Sequence, residues 1–162
     1  MKEKIIIVNE NDKIIDFVER DTKEGGIYRV SALWITNSRG EILLAKRVMT
    51  KSHEPGKWGP AVAGTNEEGE TYESNILKEA EEELGLCGIK LKKFKKVRVS
   101  HKYHFFCQWF TLKMDKSAEE FKLQKTEVDK VKWWTKEELS EKISEHPEEF
   151  TTSMPSYVNL FI

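Results

Sequence analysis

The chain has 162 residues, with 27 Lys and Arg against 28 Asp and Glu, and 38% of it is hydrophobic, including five tryptophans and eight phenylalanines. That length and aromatic content predict a folded domain with an ordinary core rather than disorder. The near-balanced charge offers no broad basic field for a long nucleic acid, though it suits a small phosphorylated ligand, and no apolar run reaches membrane-spanning length.

The opening MKEKIIIVNENDK turns polar too early for a secretory signal, so a cytoplasmic protein is expected. Lys4 to Val8 and Lys13 to Val18 are short β-branched runs around Asn9-Glu10-Asn11-Asp12, a hairpin signal. Tyr28 to Thr36 and Glu41 to Ala45 repeat the pattern around Asn37-Ser38-Arg39-Gly40. A helix is predicted from about Thr71 to Leu84, closed by Gly85. Phe94 to Val99, Tyr103 to Leu112 and Val128 to Trp134 read as strands rich in Val, Phe and Trp. Thr135 looks like the N-cap of a helix running to about Glu145 and ended by His146-Pro147, and Pro155 to Phe161 reads as a last helix. No repeat or linker interrupts this order, so residues 1–162 are expected to form one α/β domain. Cys87 and Cys107 have no metal spacing and read as reduced core thiols. The sequence leaves the oligomeric state open.

The most informative stretch is Gly64 to Leu86, GTNEEGETYESNILKEAEEELGL, which crowds eight glutamates around one lysine. On the predicted helix Glu79, Glu82 and Glu83 fall at i, i+3 and i+4, so their carboxylates share one face within roughly 100° of arc. Ile76, Leu77, Ala80 and Leu84 form a neighbouring apolar stripe that can anchor the helix. Like charges at these spacings repel, and Lys78 alone is near enough to offset them. A solvated acidic face is the bland explanation. Gly64 and Gly69 instead suggest a tight loop presenting carbonyls and Glu70 to that face, an all-oxygen set of the kind Mg²⁺ or Mn²⁺ prefers.

These residues resemble the Nudix box, G-x5-E-x7-R-E-U-x-E-E-x-G-U with U apolar. Gly64, Glu70, Glu79, Ala80, Glu82, Glu83, Gly85 and Leu86 all fall on its fixed positions. Lys78 departs from it, standing where the family has an arginine whose planar fork can brace a glutamate through two hydrogen bonds. The resemblance implies a Nudix α/β/α sandwich with a mixed sheet, residues 1–26 forming an N-terminal hairpin extension and 64–86 the box. It also implies a hydrolase of a diphosphate linkage in a nucleoside diphosphate derivative or related small diphosphate. Glu79, Glu82 and Glu83 would hold Mg²⁺, or Mn²⁺ in its place, with the Ala63 or Gly64 carbonyl contributing. Glu82 would be the general base, and Glu70 and Lys78 would fix the ligands' orientation. Glu127, before the Val128 strand, is an additional candidate acid or an exposed strand-end residue.

A finer resemblance joins VNENDKII, the YRV before the long strand, and the stretch from Arg47 to Trp58 to the subgroup containing isopentenyl-diphosphate isomerase. Arg47 and Lys51 match basic positions that face the substrate diphosphate, on a loop closed by Pro55, Gly56 and Trp58. The isomerase's catalytic cysteine would fall at Ala63 and its metal-binding histidines at Tyr28 and Thr65. Hydrolysis is therefore favoured over prenyl-diphosphate isomerisation, and a catalytically weak nucleotide-binding module is the further alternative. Trp58, Tyr103, Phe105 and Trp109 could stack on a base or belong to the core. His101 and His104, three apart on a predicted strand, would face opposite ways and make poor joint ligands.

Overall fold

The computed structural model describes residues 3–22 and 26–162, so the expected 1–26 extension lies partly outside the described residues. Strand β1 (Lys4–Val8) and β2 (Ile14–Glu19) form the predicted N-terminal hairpin. Then come β3 (Ile27–Thr36), β4 (Ile42–Arg47), β5 (Trp58–Pro60), β6 (Val62–Thr65), helix α1 (Tyr72–Leu84), β7 (Lys92–Ser100) and β8 (His104–Lys113). Strand β9 (Val128–Trp134), α2 (Lys136–Glu145) and α3 (Met154–Phe161) complete the order. The two strands that sequence reading passes over are β5 and β6, short pieces containing glycine or proline, whose pairing comes from long-range partners rather than local propensity.

β3 is the spine of a nine-stranded mixed sheet. One edge runs parallel to β8 along its length, from Tyr28 opposite Phe105 to Thr36 opposite Lys113. The other edge is taken in turn by β1, β6 and β4, all antiparallel. β9 and β5 then pair with β4, and β7 with β8. Tyr103, expected inside a strand, sits in the bend that precedes β8.

Alternation along the strands gives the sheet two buried faces. Ala32, Trp34, Ile42, Leu44, Trp109 and Trp134 pack under α2 and α3, meeting Leu139, Met154, Tyr157 and Val158. Leu33, Ile35, Leu43, Phe110 and Val131 pack under α1, meeting Ile76, Ala80 and Leu84. The result is the expected α/β/α sandwich, with Trp133 and Trp134 on opposite faces. Of the two cysteines, Cys107 is a core thiol whose burial pushes its pKa up to about 12, whereas Cys87 is exposed, contrary to the sequence reading. Among the described residues no helix is long and apolar enough to cross a membrane.

Candidate active site

Helix α1 starts where its sequence can satisfy the first free amides. Thr71 caps it reciprocally with Ser74: the Ser74 amide donates to Thr71 Oγ1 at 3.0 Å and the Thr71 amide to Ser74 Oγ at 2.9 Å. Gly85 closes the helix in the left-handed region, φ 70°, where a side chain would be strained. Ile76 and Leu84 are fully buried, each worth about 1.5–3 kcal/mol of apolar burial, and they fix the helix's rotation. Leu77 does not join that stripe. It is 38% exposed, and Asn75 is buried instead, turned towards the loop that leads into the helix.

That loop is bound to the helix by Glu70. Its Oε1 accepts from the Glu67 amide at 2.7 Å and from Asn75 Nδ2 at 3.1 Å, and its Oε2 pairs with Lys78 Nζ at 2.7 Å. Burial pulls the Glu70 pKa upward, but these donors outweigh it and hold the carboxyl below the usual glutamate value. Lys78 also lies 3.7 Å from Glu67 Oε1 and 3.8 Å from Glu79 Oε1. Glu67 was not singled out by sequence because the x positions of the box carry no fixed residue type. Gly64 packs directly on Glu79: a Cβ there would stand 2.5 Å from Glu79 Cγ.

The three helix acids are not equivalent. Glu82 is exposed, while Glu79 and Glu83 are half-buried. Burial, reinforced by Glu82, Glu70 and Glu67, raises the Glu79 pKa to about 7 against the pull of Lys78. Burial next to Glu79 and Glu127 raises Glu83 to about 8, with Lys51 and Arg47 pulling it down. Among the described residues, the group of three His, Cys, Asp or Glu whose ligand atoms lie within 4.8 Å of one another is His146, Glu148 and Glu149, the first two exposed and the third half-buried. The oxygens of Glu79, Glu82 and Glu83 do not all lie within that distance of one another.

The donor set fits a hard divalent cation on two observations. Glu79 and Glu83 are crowded carboxylates whose proton affinity is raised by burial and by neighbouring acids, and the acids of α1 beside them offer oxygen ligands. Asn75 Oδ1, buried and without a donor among the described residues, borders the same spot: a methyl on Gly64 would lie 3.1 Å from it and 2.8 Å from Glu79 Cδ.

From the other side come Arg47, at the end of β4, and Lys51, in the loop that follows. Lys51 Nζ pairs with Glu127, so Glu127 is part of this cluster rather than a free strand end. Arg47 Nε donates to the His53 carbonyl at 3.1 Å. Ala63 lies in β6 opposite Ala32, one residue ahead of Gly64. Trp58 goes elsewhere: it is buried among the residues under α2 and α3, its ring edge-on to Trp134 at 5.3 Å, on the sheet face opposite the helix acids. Phe105 and Trp109 are also core residues. His101 Nε2 is 2.7 Å from Ser153 Oγ and His104 Nδ1 is 3.0 Å from Ser100 Oγ, so the two imidazoles have separate partners.

The architecture is thus a mixed sheet sandwiched by helices, with a glycine loop bound by a carboxylate to a helix of acids. The NUDIX domain model matches residues 27–154, and the chain belongs to that family. It is 30% identical over 146 residues to an uncharacterized Nudix hydrolase of Yersinia pestis, covering 86% of this chain and 76% of the relative. Its fold is similar to that of DR0079 from Deinococcus radiodurans, with a TM-score of 0.86 at 23% identity over 97% of this chain and 98% of the other. It is also similar to the NUDIX domain of Shewanella oneidensis NrtR complexed with ADP ribose, with a TM-score of 0.63 at 17% identity, covering 82% and 84% of the two chains.

Proposed function

We propose that this enzyme hydrolyses the diphosphate linkage of a nucleoside diphosphate derivative or a related small diphosphate, with Mg²⁺ as cofactor and Mn²⁺ as a substitute. The observation that carries the reading is the meeting of opposite charges at Glu83, where the helix acids and the cations Arg47 and Lys51 act on one carboxyl. A diphosphate bridging the two needs cations on its oxygens and a carboxylate near the attacking water. When bound, the divalent cation neutralises the diphosphate and lowers the pKa of a coordinated water towards neutrality.

Glu79, Glu82 and Glu83 are the side chains assigned to hold it, with the Ala63 or Gly64 carbonyl. Glu82 is assigned as the general base that accepts the proton of water, a role its exposure to solvent supports. Lys78 and Glu70 orient Glu79 from behind, and Arg47 and Lys51 bind substrate phosphate. A nucleotide substrate is supported by the ADP ribose of the NrtR complex, a ligand that itself contains a diphosphate. The chain's likeness to the subgroup containing isopentenyl-diphosphate isomerase extends this reading to prenyl diphosphates as substrates. It does not extend it to isomerisation, because Ala63 presents a methyl where that reaction's cysteine would stand.

The test is a panel of nucleoside diphosphate derivatives and prenyl diphosphates incubated with Mg²⁺ or Mn²⁺, with products identified by mass. Hydrolysis at the diphosphate is expected. Formation of an isomer without phosphate release would point to an isomerase, and tight nucleotide binding without turnover would point to a binding module.

A further inference from the structure

Asn75 interrupts the buried stripe of α1 with a polar side chain that is completely inaccessible to solvent. Burying an amide is costly unless it is bonded, so its partners carry information. Nδ2 donates to the Thr65 carbonyl at 3.2 Å and to Glu70 Oε1 at 3.1 Å. The amide cannot be turned over, since that would set its oxygen against a carbonyl and a carboxylate. Glu70 is therefore held at both oxygens, and by side chains from two different residues: Asn75 on Oε1, beside the Glu67 amide, and Lys78 on Oε2.

We propose that Asn75 is a positioning residue of the site, supplying with Lys78 the two-point grip on Glu70 that a single guanidinium would otherwise give. A lysine alone is one point of charge and leaves a carboxylate free to swivel. With Asn75 on the second oxygen, the loop carrying Gly64 and Thr65 is fixed against Glu79. The orphan Oδ1, on the Gly64–Glu79 side, is an acceptor suited to a donor such as a cation's water. The effect on the cation rests on the proposed metal site; the grip itself does not.

The experiment therefore has two readouts on Asn75→Ala, Lys78→Arg and the double variant. The first is amide hydrogen exchange at Glu67, whose N–H bonds Glu70 Oε1, in metal-free protein. The second is Mn²⁺ affinity by electron paramagnetic resonance. Asn75→Ala should speed Glu67 exchange and weaken Mn²⁺ binding by about tenfold with little change in melting temperature, because an unpaired acceptor leaves with the donor. Adding Lys78→Arg should restore both to within about threefold, a rescue that a merely structural asparagine would not show. Unchanged Glu67 exchange in Asn75→Ala, or failure of the arginine to restore it, overturns the proposal. If the variants show the exchange effects but the parent protein binds no Mn²⁺, the grip stands and the metal site is refuted instead.

Discussion

Lys51 forms an ion pair with Glu127, a residue 76 positions further along the chain, and the pair stands beside Glu83. The loop after β4 thus carries its cation to the acid helix already neutralised. Glu127 raises the proton affinity of Glu83 while Lys51 and Arg47 lower it, and burial leaves the net shift upward. On the proposed reading a phosphate entering here would compete with Glu127 for Lys51, whereas Arg47, at the end of β4, donates from Nε to the His53 carbonyl and would be the cation less committed to an acid.

Arg47→Ala should accordingly weaken substrate binding more than catalysis. The expected result is a rise in KM of about tenfold with a smaller fall in kcat, measured on the substrate that emerges from the panel. A fall in kcat with KM unchanged would move Arg47 from ground-state binding to the transition state.

Glu82→Gln and Glu83→Gln keep shape and remove charge. Each should lower turnover by at least about a hundredfold at saturating Mg²⁺ without loss of the helix by circular dichroism. Near-normal turnover in both would refute the assignment of these acids.

Metal-free stability should fall as pH rises. Glu79 and Glu83 hold protons more tightly in the folded chain than the ordinary glutamate value of 4.5, with pKa values of about 7 and about 8. Below about 4.5 they are protonated folded or unfolded. Between there and about 8 the unfolded chain ionises first, so folding is progressively disfavoured, by roughly 2 kcal/mol or more in total. Denaturant unfolding at pH 5.5 and 8 should show this loss in the parent and a smaller one in Glu83→Gln. Mg²⁺ should recover more stability at pH 8 than at 5.5, and a parent equally stable at both pH values without metal would contradict the burial of these acids.

Gly64→Ala isolates packing from charge. The added methyl would meet Glu79 Cγ at 2.5 Å and Cδ at 2.8 Å, so Glu79 must shift. A cost of about 1–3 kcal/mol in stability and weaker Mn²⁺ binding are expected, by thermal unfolding and metal titration respectively.

The elements whose ends are set by local chemistry were legible in sequence: α1 between Thr71 and Gly85, α2 after Thr135, β9 from Val128 to Trp134. Where a residue's fate depends on distant partners, sequence spacing misled. Leu77 looked buried because it is apolar and adjacent to Ile76, yet it is Asn75 that is buried, bonded to the Thr65 carbonyl and to Glu70. Trp58 looked like a ligand platform because it closes the basic loop, but pairing of β5 with β4 turns it under α2 and α3. The acids of the box were found by their spacing. The partners that tune them, Glu67, Asn75 and Glu127, come from positions that no spacing rule singles out.

Asp12, in the turn of the N-terminal hairpin, accepts bonds from Arg29, from Lys96 and, at 2.9 Å, from the hydroxyl of Tyr72, the first residue of α1. The hairpin lies ahead of residue 27, where the family match begins, so the acid-bearing helix is moored at its first turn to a piece of chain outside the matched domain. A change in that turn would reach the carboxylates as a tilt of their helix, without any atom of the hairpin approaching them. Drift in the appendage is thereby coupled to the setting of the acids on α1, and the two are constrained to change together.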